Sequence, residues 1–277
     1  MLGVLLALSS SLMYGLADYL GGLQTRARNV LSVVLVSQIA GLAVISAVVA
    51  GRGVGWPGTE AMLPAAVAGV MAAFCIVAFY LALSYGPISI VAPVLASSAS
   101  IPVVYGLVRG ERPSALQLAG LVATLAGVML VSWRGGQGHA RGRRGIGFGI
   151  VAALLLGTLL VLFSRAAAVD AYWAPLVVRV VSLSTICVFI LVRRSAPYIE
   201  RRALAVIASI GALDMLANLA YSVSTTLQLL SVTAVLSSLF PVVTVALARL
   251  HLGERVTRVQ GAGSAITMLG VLLVAAG

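Results

Sequence analysis

Asp214, Asn218, Tyr221 and Thr225 recur at i, i+4, i+7 and i+11 inside an apolar run. That spacing puts them on one face of a helix. A carboxylate at the centre of a membrane span costs at least ~2.5 kcal/mol on insertion scales, so such a face must turn inward. Its chemistry is to hold a proton or a cationic group. Ser11, Tyr14 and Asp18, at i, i+3 and i+7, form a second stripe. Asp18 falls nearer the end of its run, so a solvated, interfacial carboxylate competes with a buried one. Arg179 also lies within an apolar run. A buried guanidinium needs an anion or several acceptors. Three readings stand side by side: an ion pair with Asp214 or Asp18, a clamp on backbone carbonyls, or a group that binds a ligand's carboxylate.

The elements that must position these residues are spanning helices. Of the 277 residues, 61% are hydrophobic and 9% are charged, against roughly 25% charged in a soluble domain. Too few polar residues remain to cover a water-facing surface. Apolar runs of ~20 residues suit membrane helices, and they fall at 2–21, 30–50, 62–84, 87–108, 115–133, 146–164, 171–192, 203–226, 229–249 and 259–276. The runs lack the sustained alternation of membrane strands. The N-terminal run has no basic leader and reads as the first span. The expected fold is an all-α integral membrane protein of about ten helices.

An internal repeat divides the chain. RGERPSALQLAGLVATLAGVMLV matches LGERVTRVQGAGSAITMLGVLLV, with Glu111 and Glu254 separated by 254 − 111 = 143. Upstream, Tyr80 pairs with Tyr221 at 141. The polar stretch 134–145 then links a first five-helix repeat (1–133) to a second (146–277). An odd number of spans per half forces the halves into opposite orientations. Inverted repeats of this kind build secondary transporters, with the site at the repeat interface. At the 141 offset Arg179 matches Gln38, and Asp214 matches Ala73. The repeat itself therefore does not require the charges.

Other chemistries find little support. The net charge of +11 is dispersed and shows no basic stripe with interleaved aromatics, so no nucleic-acid partner is expected. Cys75 and Cys187 sit in apolar runs without CxxC partners and read as inert thiols. His139 and His251 lie in connections without metal-ligand spacing. No P-loop, HExxH or GxSxG is present, so neither a cofactor nor an enzyme is expected. The alternative to a transporter is a non-transporting membrane protein: an intramembrane enzyme or an assembly subunit.

The segment from Tyr221 to Val274 resembles the EamA-type domain of the drug/metabolite transporter superfamily. The features are an uncharged hairpin, SSLFPV with Pro241, and LGER before a Gly-spaced last helix. YLALSYGP, VAPVLASS and GERPS carry the likeness into the first half. One departure is the Pro-to-Glu spacing, 254 − 241 = 13 against 111 − 102 = 9. The resemblance implies a multi-pass protein of a cell membrane, bacterial plasma membrane by expectation. It implies secondary transport of a small metabolite, amino acid or drug-like solute, weighted towards efflux, with proton or cation coupling. Asp214, Asn218, Tyr221, Arg179, Asp18, Tyr14, Gln38 and Tyr80 are the candidate substrate- or ion-binding residues. Tyr105, Ser97, Ser98, Ser237 and Ser238 are further candidates for a cavity lining.

Ser114-x-x-Gln117 and Thr257-x-x-Gln260 read as capping boxes. Gly120/Gly127 and Gly263/Gly270 each place two glycines on one face, which lets helix backbones approach closely. Packing within the chain and packing of a homodimer both fit, and the resemblance leans towards the dimer. The arginines favour the side opposite the termini: Arg52, Arg109, Arg112 and Arg165 alone lie on the termini's side. The positive-inside rule puts both termini outside, whereas the resemblance implies cytoplasmic termini.

Overall fold

In a computed structural model of the chain, residues 2–99, 101, 105, 114–134, 140–192, 194, 198, 200–227, 237, 239–253 and 258–276 are described. They form ten α-helices and no strand. These are α1 (Leu2–Ala27), α2 (Val30–Arg52), α3 (Thr59–Tyr85), α4 (Ile88–Ala96), α5 (Ala115–Arg134), α6 (Ala140–Ala167), α7 (Trp173–Val192), α8 (Arg201–Leu227), α9 (Phe240–Leu252) and α10 (Arg258–Ala276). Each overlaps one of the runs expected from sequence. Six, namely α1, α2, α3, α6, α7 and α8, contain stretches long and apolar enough to cross a membrane.

Local chemistry fixes several ends. Asn29 caps α2, its side chain accepting from Leu31 N at 2.9 Å and Ser32 N at 3.3 Å, which satisfies backbone donors that lipid cannot. Gly53, at φ 62°, closes the same helix in the left-handed conformation. The hairpin at Tyr85-Gly86-Pro87 turns through Gly86, whose N–H donates to Ala82 O at 2.8 Å. Pro87 then opens α4.

Two boundaries move from expectation. Helix α1 continues past residue 21 to Ala27. Its last turns stay helical because Thr25 Oγ1 donates back to Gly21 O at 2.8 Å, while Arg26 reaches Leu83 O and Gly86 O. Of the expected linker 134–145, Arg134 ends α5 and residues 140–145 are the first turns of α6; 135–139 lie outside the described residues. Arginine is a good helix former, so a polar stretch need not be a loop. Pro102, Glu111, Arg112, Glu254, Arg255, Thr257 and Ser238 also lie outside. The described break in the first half is a 3₁₀ turn, Ser97–Ala99. At an offset of 142 it matches Leu239–Pro241, where α9 begins.

Helix packing is reciprocal under that same offset. A Cβ on Gly15 (α1) would meet Phe240 O at 2.8 Å and Val243 Cβ at 2.5 Å. On Gly157 (α6) it would meet Ser98 O and Ile101 Cβ, both at 2.6 Å. All three pairs of positions differ by 142. Gly69 (α3) lies against Val178 O of α7, and Gly211 (α8) against Ser37 O of α2. Ser10 Oγ donates to Ala217 O at 2.9 Å, and Cys75 Sγ to Ala152 O at 3.4 Å; Ser10 matches Ala152 and Cys75 matches Ala217, again at 142.

The α5–α10 crossing completes this pattern. A Cβ on Gly127 would meet Gly263 O at 2.7 Å, and one on Gly270 would meet Gly120 O at 2.7 Å. Thr124 and Thr267 are buried in the seam, each bonding back to its own helix at Gly120 O and Gly263 O. The two glycine faces consume one another inside a single chain. Within-chain packing, one of the two alternatives open for these glycines, is the one the geometry contains.

Candidate functional site

Arg179 organises the interior. It is the charged member of the buried face Ala174, Pro175, Arg179, Ser182 that α7 turns into the bundle. Its Nη1 donates to Gln38 Oε1 of α2 at 2.6 Å. Its Nη2 donates to Asp214 Oδ2 of α8 in a short ion pair. Of the three readings of Arg179, the geometry is that of an ion pair with Asp214, extended by one amide. Glycine makes the room. A Cβ on Gly41 would lie 3.1 Å from Arg179 Cζ and 3.0 Å from Gly211 O, so α2 and α8 cross tightly with the guanidinium beside the crossing.

The polar face of α8 points inward as expected. Asn218 Nδ2 donates to Asp214 O at 2.9 Å, and Asp214, Asn218 and Tyr221 are each only partly buried. Thr225 lies in α8 with its side chain outside the described residues. From α1, Tyr14 packs edge-on against Phe240 at 6.2 Å. It lies within electrostatic range of Asp214, Arg179, Tyr221 and Asp18. From α3, buried Tyr80 stacks on Gly21, where a Cβ would come within 2.9 Å of the ring. All eight sequence candidates therefore converge on one interior region built by α1, α2, α3, α7 and α8.

Asp18 is placed differently from its interfacial reading. Because α1 runs on to Ala27, Asp18 sits more than two turns inside the helix, surrounded by protein yet with part of its surface open. No described residue gives its carboxylate a hydrogen bond or an ion pair. Asp214 is the charge that reaches it. Arg179 lies within electrostatic range of Tyr14 and Tyr80. On the same face Ser11 Oγ is buried without a partner, and so is Ser182 Oγ one turn beyond Arg179. The other cavity candidates scatter. Ser97 bonds back to Val94 O, Ser237 is buried with its hydroxyl unpartnered, and Tyr105 is exposed.

Sequence reasoning missed a second cluster, where the α2–α3 and α6–α7 connections meet. Asp170 Oδ1 accepts from Tyr172 N at 2.8 Å and Trp173 N at 2.9 Å, capping α7. It also pairs with Arg52 at 3.4 Å. Arg52 lies 3.8 Å over the Tyr172 ring. Trp56 meets Trp173 edge-on at 5.1 Å, and Trp173 Nε1 donates to Val54 O at 3.3 Å. Partial burial opposes the Asp170 charge, but the backbone N–H groups of Trp173 and Tyr172 and the Arg52 guanidinium outweigh it. They hold its carboxyl below the usual carboxylate range. The available signal was an Asp three residues before a Trp-Ala-Pro helix start. Similarly, Ser37-x-x-x-Gly41 is a small-residue pair that marks the close crossing.

Long apolar helices with charged and aromatic side chains turned inward define an all-helical, multi-pass membrane protein. The EamA-like transporter family matches the chain twice, over residues 1–133 and 143–276. The chain belongs to that family of membrane transporters of the drug/metabolite type, which are not enzymes. Its substrate is accordingly a small molecule, and its solvent is the lipid bilayer. No curated protein matches. A solved chain titled only "Crystal structure of protein" shares the fold, with a TM-score of 0.64 and 19% identity, over 99% of this chain and 97% of that one.

Proposed function

We propose that the chain is a secondary active transporter of a cell membrane, built as two inverted five-helix repeats (1–133 and 146–277). It moves a small metabolite, amino acid or drug-like solute outward by alternating access, with a proton as coupling ion. The observation that carries this reading is the Arg179–Asp214–Gln38 cluster. Arg179 and Gln38 occupy matching positions, 179 − 38 = 141, yet touch one another. In a two-fold arrangement only residues close to the axis meet their own mates, as in an isologous interface. The reciprocal glycine contacts support the same relation. A polar cluster on that axis is where an inverted-repeat transporter binds.

In this reading Asp214, Asn218, Tyr221, Tyr14, Tyr80 and Asp18 shape the pocket, and Arg179 with Gln38 holds Asp214 in place. The test uses purified protein in liposomes. Wild type should show counterflow of at least one solute from a panel of amino acids, metabolites and toxic cations, accelerated by a pH gradient. Asp214→Asn should lower that rate at least tenfold or flatten its pH profile. Normal transport with an unchanged profile in Asp214→Asn would remove the residue from the site. Wild-type liposomes inert to the whole panel would favour a non-transporting subunit instead.

A further inference from the structure

The two ends of the α2–α7 pair are built alike and charged differently. Asn29 caps α2 as Asp170 caps α7: each Oδ1 accepts from the N–H groups two and three residues on. Gly53 closes α2 at φ 62° and Arg194 closes α7 at φ 48°. Each donates its N–H three residues back, to Ala50 O at 3.3 Å and to Leu191 O at 3.1 Å. Both pairs of caps differ by 141. At one end the α7 cap is a carboxylate, and Arg52 of the other half lies against it. At the other end the α2 cap is a neutral amide. The neighbouring offset, 142, would match Asp170 with Arg28, so by either count the carboxylate is missing. The antiparallel register of α2 and α7, fixed by Gln38–Arg179 and Arg52–Asp170, brings Arg194 level with Arg28 and Asn29. The register of α8 on α1, fixed by Ser10–Ala217 and Gly3–Ser224, brings exposed Arg201 and Arg202 level with the last turn of α1. Among the described residues, Glu200 is the one acidic group at this end. The filling differs as well. At 141 the mates of Tyr172 and Trp173 are Leu31 and Ser32. Where the Trp173 indole reaches across to Val54 O, its mate is a buried serine whose hydroxyl has no partner.

We infer that the Arg28–Arg194 end is a binding site for a phosphate-type oxyanion, which joins the two halves there as the Arg52–Asp170 pair joins them at the opposite end. Arg28 belongs to the first half and Arg194 to the second. Without an anion the two guanidinium groups repel across a neutral cap. A planar guanidinium offers parallel N–H donors that match a phosphate edge. A phosphate has oxygens enough to accept from two guanidinium groups and from the Ser32 hydroxyl at once, which a two-oxygen carboxylate has not. Arg28 Nη1 is turned to Gln24 Oε1 at 2.6 Å, which leaves its other N–H groups for such a ligand. The same chemistry serves a free phosphate ion and the phosphate of a lipid headgroup at the membrane's edge, and the test separates the two. The inference draws on the duplicated packing, and its test needs no transported solute.

The test follows thermal unfolding of the full chain in an uncharged, phosphate-free detergent. One arm adds inorganic phosphate, against sodium chloride at equal ionic strength. A second adds phosphatidylglycerol, against uncharged diacylglycerol. At least one phosphate should raise the unfolding temperature by about 5 °C at about a hundredfold excess over its dissociation constant. A rise with inorganic phosphate assigns the free ion, and a rise with phosphatidylglycerol alone assigns the lipid headgroup. Arg28→Gln and Arg194→Gln should each lose most of the rise. Arg165→Gln, which removes an exposed arginine at the opposite end, should keep it. Asn29→Asp preserves the helix cap and supplies the carboxylate that Asp170 supplies at the other end. It should unfold no lower than wild type without phosphate, and should respond to phosphate least of all. A wild type indifferent to both phosphates would overturn the site. So would a rise that persists in Arg28→Gln and Arg194→Gln, or one that Arg165→Gln loses equally, since either is a general effect of surface charge. A full response in Asn29→Asp would overturn the bridging role.

Discussion

The α5–α10 crossing and the charged interior lie in one chain but treat the repeat in opposite ways. At the crossing every feature has its mate: Gly127 and Gly270, Thr124 and Thr267, each touching the other's helix at the same depth. In the interior the mates are unequal. Arg179 answers to Gln38 at an offset of 141, Asp214 to Ala73 or Ala72 at 141 or 142, and Asp18 to Leu159 or Leu160 at 141 or 142. Residues that set how closely helices approach are duplicated, because both halves must solve the same packing problem. Charges serve the assembled pair of halves and are needed once. In a duplicated membrane fold the broken mates, more than the preserved ones, point to chemistry.

The largest effect should come from breaking the charge arrangement on its positive side. Arg179→Leu leaves Asp214 without its cation. Losing one partner of a buried pair costs about 3–5 kcal/mol. The lower end applies here, since the Asp214 side chain keeps a third of its surface open. Adding Asp214→Asn removes the orphaned charge, so the double variant should unfold in detergent at a higher temperature than Arg179→Leu alone. A double variant no more stable than the single one would mean that Arg179 is held by Gln38 and the α2–α8 crossing, with the ion pair contributing nothing.

Gly127→Ala and Gly270→Ala sharpen the other side of the comparison. Each inserts a methyl group against a neighbouring backbone, at about 2 kcal/mol for overpacking. If the crossing is two-fold, the two costs agree closely, and solute counterflow slows alike in both. A wide gap between the two melting temperatures would show that the halves are related by sequence but not by packing. By contrast, alanine at Gly147, where a Cβ meets open space, should change little.

Much of this was legible before any coordinates. The apolar runs located every described helix, because a bilayer imposes length and composition on each span. The i, i+4, i+7 spacing turned Asp214, Asn218 and Tyr221 to one side, and the cost of a lone charge in lipid turned that side inward. The 141–143 offset exposed the duplication. Three things were not legible. A glycine face looks the same whether its partner is a second copy or another helix of the same chain, so the α5–α10 seam could not be told from a dimer. The end of α1 was hidden because Gln24, Thr25 and Arg26 look like a loop until Arg26 is seen reaching the carbonyls of Leu83 and Gly86. That extension is what moves Asp18 from the interface to the interior. The pairing of Arg52 with Asp170 joins residues 118 apart, a separation at which no local pattern speaks.

That last pair extends the comparison to the membrane's edge. At an offset of 142 Asp170 matches Arg28, so the latch between the α2–α3 and α6–α7 connections has no equivalent of the same charge in the other repeat. Asp170→Ala should cost about 1 kcal/mol, the worth of a helix cap, with little added by a surface ion pair. Its pH dependence follows from the lowered carboxyl. A group held below its unfolded value of about 3.9 contributes stability that is complete above that value. The contribution is lost as the pH falls through the lower folded value. The stability gap between wild type and Asp170→Ala should therefore be flat from pH 8 to about 5 and should shrink in stronger acid, as read by thermal unfolding in detergent. A gap that already closes between pH 7 and 6 would assign the latch to a different titrating group. It would also remove Asp170 from the set of charges that separate the two halves.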